Sequence, residues 1–310
     1  MNIRTTSLTQ TSTAIARLRL QNGNQAQLQD QISSGVRISK ASDSPVEFAT
    51  LLQTKASSQR FDTFLSNMTN ASTDLNSSNS AMLSVNQKLA RASQIASQGI
   101  SALGENNEAD ALATELDGII DSVFMAANTR VDGKALFGGD ETSTLPFRIA
   151  TFTADGKPAT FAYDGSPARA RGLIGPQQTV DTRYTGSEIF QAPGNNVFEV
   201  LTGLRDDLRN RNLTGQARTD ALTGRLANLE QVRNVFSDKI GEQSSTLANL
   251  EAFSSRISDL KLDTDLRTSQ IESTDYAQAI VQLKEQENIY QATLGVTSRL
   301  VQPSLLDFIR

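Results

Sequence analysis

Side chains able to do covalent or metal chemistry are scarce in this chain of 310 residues. Cysteine and histidine are both absent. That removes thiol catalysis, serine–histidine triads and zinc sites of histidine or cysteine in one step. Gly133-Lys134 lacks the preceding glycine and the following Ser/Thr of a phosphate loop, and Gly138-Gly139 reads as a turn. Asp263 and Asp265 have the opening spacing of a calcium loop, but Arg267 and Thr268 stand where an oxygen ligand and a glycine belong. Asn67-Met68-Thr69 is one of several Asn-x-Ser/Thr triplets that chance explains in so Ser/Thr-rich a chain. No catalytic, cofactor-binding or metal-binding residue is assigned. The expectation is a protein that is not an enzyme and needs no cofactor.

What remains is the chemistry of apolar seams. From Tyr276 the chain runs about 26 residues with no proline, and Tyr276, Ile280, Leu283, Tyr290, Leu294 and Val301 fall at steps built from four and three. Such a narrow stripe is what one coiled-coil partner covers. Glu287 and Thr297 interrupt it, and Ile289, Val296 and Leu300 make a second partial stripe. Pro303 ends the helix, and Leu305, Leu306, Phe308 and Ile309 then crowd the terminus, where chains usually fray. Residues 5–33 read as a second helix, with Leu8, Ile15, Leu18 and Ile32 on a seam that Asn22, Gln25 and Gln29 interrupt. Alone it should be marginal. The first forty residues carry Arg4, Arg17, Arg19, Arg37 and Lys40 against Asp30, while acids outnumber bases in the last forty. Opposite charge and similar seams suit two terminal helices that pair. The same C-terminal seam also fits one more helix of an intramolecular bundle.

Between these ends lie two long helices and a break in composition. Ser44-Pro45-Val46-Glu47 is a helix start, with a capping serine, proline in the first turn and glutamate three residues on. Beyond it Phe61, Met68, Leu75, Met82, Leu89, Ala96 and Leu103 recur at every seventh position. The companion line, read four residues further on at Ser72, Asn79, Asn86 and Ser93, is polar and predicts a slim rod. A shorter amphipathic helix follows at 109–127. From Gly133 to Phe198 prolines, glycines and aromatics concentrate. Alternating runs at 147–152, 160–163 and 179–184 are separated by Asp-Gly and Gly-Pro turns. This predicts a small β domain, self-contained enough to be a decoration. A short helix returns at 197–208, and a second long one opens at Thr214 and runs to about Leu262. Leu222, Leu229, Phe236, Leu250 and Ile257 share its seven-residue register, with Gln243 the polar member. The fold class is therefore mainly α, a long antiparallel helical rod with a small inserted β domain. Residues 1–44 and 266–310 are read as terminal assembly helices, 45–132 and 195–265 as the rod, and 133–194 as the insert.

Bulk composition agrees. Hydrophobic residues make up 38% and aromatics 5% of the chain, with no tryptophan, as suits helical seams of Leu, Ile, Val and Ala. A net charge of −5 without a basic block gives no nucleic-acid footprint. No apolar run is long enough for a membrane span, and the N-terminus lacks the layout of a cleaved secretory signal.

Particular segments carry a resemblance. Ile32-Ser33-Ser34-Gly35-Val36-Arg37-Ile38 through Asp43-Ser44-Pro45 resembles the segment after the first helix of the bacterial flagellin superfamily. Ala127-Asn128-Thr129 with Gly133-Lys134-Ala135-Leu136-Phe137-Gly138-Gly139, Tyr163-Asp164-Gly165 and Thr185-Gly186-Ser187-Glu188-Ile189-Phe190 are similar to the β domain of its hook–filament junction branch. So are Glu272-Ser273-Thr274-Asp275-Tyr276-Ala277 and Ser304-Leu305-Leu306-Asp307-Phe308 to that branch's C-terminal signature. Ala135 departs where an aromatic is common, and Glu47 where a small residue is frequent. The resemblance implies a structural, extracellular part of the flagellum, exported through the flagellar type III apparatus and assembled by its terminal helices. Implied partners are copies of itself, the hook-side junction protein, flagellin and an export chaperone. The other reading within the same superfamily is a short flagellin that forms the filament itself.

Overall fold

The computed structural model describes residues 3–101 and 106–301. Three helices come first: α1 (Ile3–Ser34), α2 (Pro45–Ser101) and α3 (Asn106–Ala127). A hairpin of β1 (Arg130–Val131) and β2 (Lys134–Ala135) follows, then β3 (Phe147–Phe152), β4 (Pro158–Tyr163), β5 (Ala170–Gly175) and β6 (Gln178–Arg183). A single turn of helix α4 (Gly186–Phe190), the short pair β7 (Gln191–Ala192) and β8 (Asn195–Asn196), and helix α5 (Val197–Arg209) lead back to α6 (Gly215–Glu272) and α7 (Tyr276–Val301). This is the expected architecture of a helical rod with a small β domain. The second long helix continues past the expected end near Leu262 to Glu272. The chain divides into two compact units, residues 61–259 and residues 1–60 with 260–310.

In the larger unit α2 and α6 run antiparallel, as Ser78 against Gln243 and Asn86 against Arg233 show. On α6 the register read from the sequence is the buried one, from Leu222 through Ile257. On α2 the first line is also buried from Met68 to Ala96, but its companion is not the polar one. The buried companions lie three residues ahead, at Ala71, Ser78, Val85 and Ala92, with Phe64 before them. One apolar residue per seven fixes a single line on a helix, and the partner can sit on either flank of it. Here it sits on the flank of small and apolar side chains, so the seam is drier than expected. Its polar layer is Gln243, fully buried, whose amide donates to the Ser78 hydroxyl at 3.0 Å.

Near the insert α3 and α5 join α2 and α6 around Leu116, Ile120, Val123, Leu201, Leu204 and Leu208, all buried. Burial of each such side chain contributes about 1.5–3 kcal/mol. The insert is not a decoration. Phe137, Phe147, Tyr184 and Phe190 belong to the same continuous core as Phe198 of α5 and the rod leucines. Phe190 meets Phe236 of α6 edge-on with ring centroids 5.4 Å apart, and Phe161 stacks on Phe198 at 4.3 Å. Composition set the insert apart without showing that its inner face is apolar and needs a floor.

Two antiparallel hairpins, β3–β4 and β5–β6, build the outer part of the insert. Asp132 and Gly133 both take positive φ (51° and 76°) in the tight turn between β1 and β2. The segments that carried the resemblance meet here. The Tyr163 hydroxyl donates to Ser166 O at 2.8 Å and accepts from Gly186 N–H at 3.3 Å. A Cβ on Gly186 would fall 2.5 Å from the Phe147 ring, so only glycine lets these strands close. Burial pushes the Tyr163 phenol up to about 12, which keeps it a neutral donor.

A charged group is sealed inside as well. Arg205 of α5 has no exposed surface. Its guanidinium donates to Pro158 O at 2.7 Å and faces Asp117 of α3 at 3.4 Å, while Arg209 reaches the same carboxylate at 2.7 Å.

Candidate assembly surface

The smaller unit is poor in core. Of the buried hydrophobic residues described, only Ile38, Leu51 and Ala279 lie in it. Yet 13 of the 18 exposed large hydrophobic side chains do, among them Ile15, Leu20, Leu262, Leu266, Tyr276, Ile280, Val281, Ile289, Leu294 and Val296. Helices α1 and α7 pair along their lengths. The covered stripe of α1 is Ala14, Leu18, Gln21, Gln25, Leu28 and Ile32, none of them fully buried. That of α7 is Ala279, Leu283, Gln286, Tyr290, Thr293 and Thr297. Both stripes step by four and three, and both are interrupted by polar residues, Gln21 and Gln25 on α1 and Gln286, Thr293 and Thr297 on α7.

Each residue expected on the assembly seam can be placed against these stripes. Leu18, Ile32, Leu283 and Tyr290 face the helix pair and are half-buried. Ile15, Tyr276, Ile280 and Leu294 are exposed at its flank. Leu8 and Val301 lie within α1 and α7, and Leu305, Leu306 and Phe308 lie outside the described residues. The covered companions Ala14, Gln21, Leu28, Ala279, Gln286 and Thr293 had no apolar signal strong enough to reveal them. They share the ambiguity seen on α2: α7 pairs through the more polar flank of its seven-residue line, while α1 pairs through Ala14, Gln21 and Leu28 in place of Ile15, Asn22 and Gln29. That choice leaves the more apolar flank of α7 facing water.

Backbone chemistry at the base of the pair explains two of the resemblance segments. Gly35 ends α1 with φ +72°, and its N–H donates to Gln31 O at 2.9 Å. Val36 and Ser273 then form an isolated antiparallel bridge, with Arg37 N–H donating to Glu272 O and Thr274 N–H to Gly35 O. A Cβ on Gly35 would lie 2.5 Å from the Tyr276 hydroxyl. Asp275 caps α7 by accepting from Gln278 N–H, and Asp43 pins the turn by accepting from the N–H groups of Ser39 and Lys40. For Asp43, desolvation pushes the carboxyl up, but those backbone donors outweigh it and hold the pKa below the ordinary value. The Arg37 guanidinium, then the Ser44 hydroxyl, does the same for Glu47.

Among the described residues no group of acidic side chains is placed to hold a metal ion, and no helix is long and apolar enough to cross a membrane.

Residues 6–142 match the family of the bacterial flagellin N-terminal helical region. No curated protein sequence matches the chain. Among solved structures the fold is shared with a Vibrio parahaemolyticus protein assigned as flagellar hook-associated, at 20% identity and TM-score 0.65, over 74% of this chain and 100% of that one. Bacillus cereus FlgL is similar at 21% identity and TM-score 0.55, over 71% of this chain and 100% of its own. The flagellar junction protein FlgL of Legionella pneumophila follows at 12% identity and TM-score 0.57, over 72% and 99%. The resemblance read from the residues is thus met twice, in sequence at the N-terminal side and in fold over most of the chain. Residues 6–142 are similar to the flagellin N-terminal helical region, and the chain shares the fold of these flagellar structures.

Proposed function

We propose that the chain is a non-catalytic structural subunit of the bacterial flagellum, of the hook-associated protein 3 (FlgL) type. In this reading it joins the hook-side junction protein to flagellin outside the cell. The observation that carries it is the smaller unit, which among the described residues holds 13 of the 18 exposed large apolar side chains and buries almost none. Contiguous apolar surface of this kind marks a face that another chain covers, and a fold so dependent on partners gains its stability by association. Copies of this chain, the hook-side protein and flagellin supply that cover in the assembled junction. The export chaperone covers the C-terminal seam before export through the type III apparatus. The seam residues Leu8, Ile15, Leu18, Ile32, Tyr276, Ile280, Leu283, Tyr290, Leu294 and Val301, with Leu305, Leu306 and Phe308, are the proposed contacts.

Electron microscopy of the purified chain mixed separately with hook-side protein and with flagellin tests this. A capped hook end that nucleates flagellin is expected. Long filaments formed by the chain alone would replace the junction reading with that of a filament-forming flagellin. A finer test uses Ile280→Ala with Leu294→Ala. In a partner-covered seam each loses about 2–5 kcal/mol, whereas both side chains are exposed in the monomer, whose unfolding midpoint should stay unchanged.

A further inference from the structure

The two connections at the base of the α1–α7 pair leave helical geometry at the same level. Residues 35–44 join α1 to α2, and residues 273–275 join α6 to α7. Their backbones touch through the Val36–Ser273 bridge and two hydrogen bonds, of 2.7 and 3.0 Å. One side chain spans the place. The Arg37 guanidinium donates to both Glu47 oxygens, at 2.9 and 3.2 Å, and to Ile271 O at 2.8 Å. The carbonyl of Arg37 accepts from the Gln31 amide at 2.9 Å. Arg37 therefore contacts α1, α2 and α6 at once.

The placement follows the charges of the helix ends. Ile271 and Glu272 close α6, where the last carbonyls have no helical partner and the partial charge is negative. Arg37 takes one with its side chain and the other with its N–H. Glu47 lies in the first turn of α2, where a carboxylate is favoured. Cation and anion thus each sit at the helix end that stabilises them, and they bond to each other in a bidentate fork. Isolated surface pairs hold little; this one adds two geometric constraints to its charge. Lys55 to Glu272, 2.6 Å, is a second tether nearby. Gly35 N–H to Gln31 O and Ser273 N–H to Ser269 O are the last rungs of their helical ladders, so both helices end at this level.

We infer that the two connections form a single hinge and that Arg37 is its latch. Closed, as seen here, the latch fixes the angle between the α1–α7 pair and the adjoining ends of α2 and α6. Released, the pair turns about Gly35 and residues 273–275. Glu47 is the strike plate of that latch, its two oxygens holding the guanidinium from the first turn of α2. The inference concerns this chain alone and does not depend on a junction role.

The chain has no cysteine of its own, so Leu262→Cys and Asn288→Cys, both at exposed positions, give a clean pair of spin-label sites. Pulsed dipolar spectroscopy should show one narrow distance distribution with Arg37 present. Arg37→Ala should broaden it about twofold or add a second peak, since two states become populated. Glu47→Ala, which leaves both carbonyl contacts in place, should broaden it less. Far-UV circular dichroism should be the same in all three. An unchanged distribution in Arg37→Ala overturns the latch. So does an equal or larger effect of Glu47→Ala, or broadening that comes with loss of helical signal, which would make Arg37 a requirement for folding instead.

Discussion

Arg205 shows what a single buried charge commits a fold to. Its guanidinium has no exposed surface, and it holds Pro158 O and the nearly buried Asp117. Replacing it with alanine leaves a carbonyl unpaired and weakens the neutralisation of Asp117, at a cost of about 3 kcal/mol. Urea unfolding should register that loss, and a smaller one for Arg205→Met, which keeps the volume. A change near zero for Arg205→Ala would mean water replaces the guanidinium without strain. The position was open to sequence reading in part, since Arg205 lies four residues after Leu201 on the apolar stripe of α5, though a lone arginine normally reads as solvated. Carboxylates at the base of the terminal helices act in the opposite regime, exposed and tunable. Asp43, Glu47 and Asp265 all have lowered pKa values in the folded state, Asp265 through Lys261 and then Ser58. A lowered native pKa adds stability above the unfolded value and loses it as pH falls through the folded one. Amide protection factors over residues 35–44 and 271–276 should therefore drop below about pH 4. Salt should make the drop shallower by lowering protection at neutral pH, because screening weakens the pairs that hold these pKa values down. Protection that ignores both pH and salt would show that the backbone bridge alone holds the segment.

Elements differ in how much of them the sequence exposes. The seam of α6 was legible because nearly every seventh residue is large and apolar, so either flank gives the same line. On α2, α1 and α7 the line itself was legible and its flank was not, because Ser72 and Ala71, or Glu287 and Gln286, differ too little to choose. Strand β5 escaped for another reason. Ala170-Arg171-Gly172-Leu173 has neither β-branched residues nor clean alternation, and it is a strand because β6 pairs with it. The α1–α7 pair buries few side chains fully, only Ala279 and Thr297 among those described, and Gln21, Gln25, Gln286 and Thr293 interrupt its stripes. Such a stripe offsets little of the ordering entropy of two helices. Limited proteolysis of the free chain should consume α1 and α7 first and leave a fragment close to residues 45–265. Cleavage inside α2 or α6 at comparable rates would contradict the ranking.

At the scale of the whole molecule, the two units should melt as two events. The unit of residues 61–259 owns the continuous core, so calorimetry should show its transition above that of the terminal unit, and a single sharp transition would refute their independence. The insert belongs to the first event. Replacing residues 145–193 by a short Gly/Ser linker uncovers Phe198 and Phe236, each worth about 3 kcal/mol or more when buried, so the upper transition should fall and helical signal with it. Retention of both would mean the rod closes over its own aromatics. One further consequence attaches to the amide of Gln243 and the hydroxyl of Ser78. A seam that repeats every seven residues is like a ruler with identical marks, which can be laid down at many offsets with nearly equal satisfaction. Two polar groups that find each other at only one offset put a zero on that ruler. A chain that carries Leu at position 243 would gain apolar contact and lose its zero, and would fold more tightly into more than one alignment.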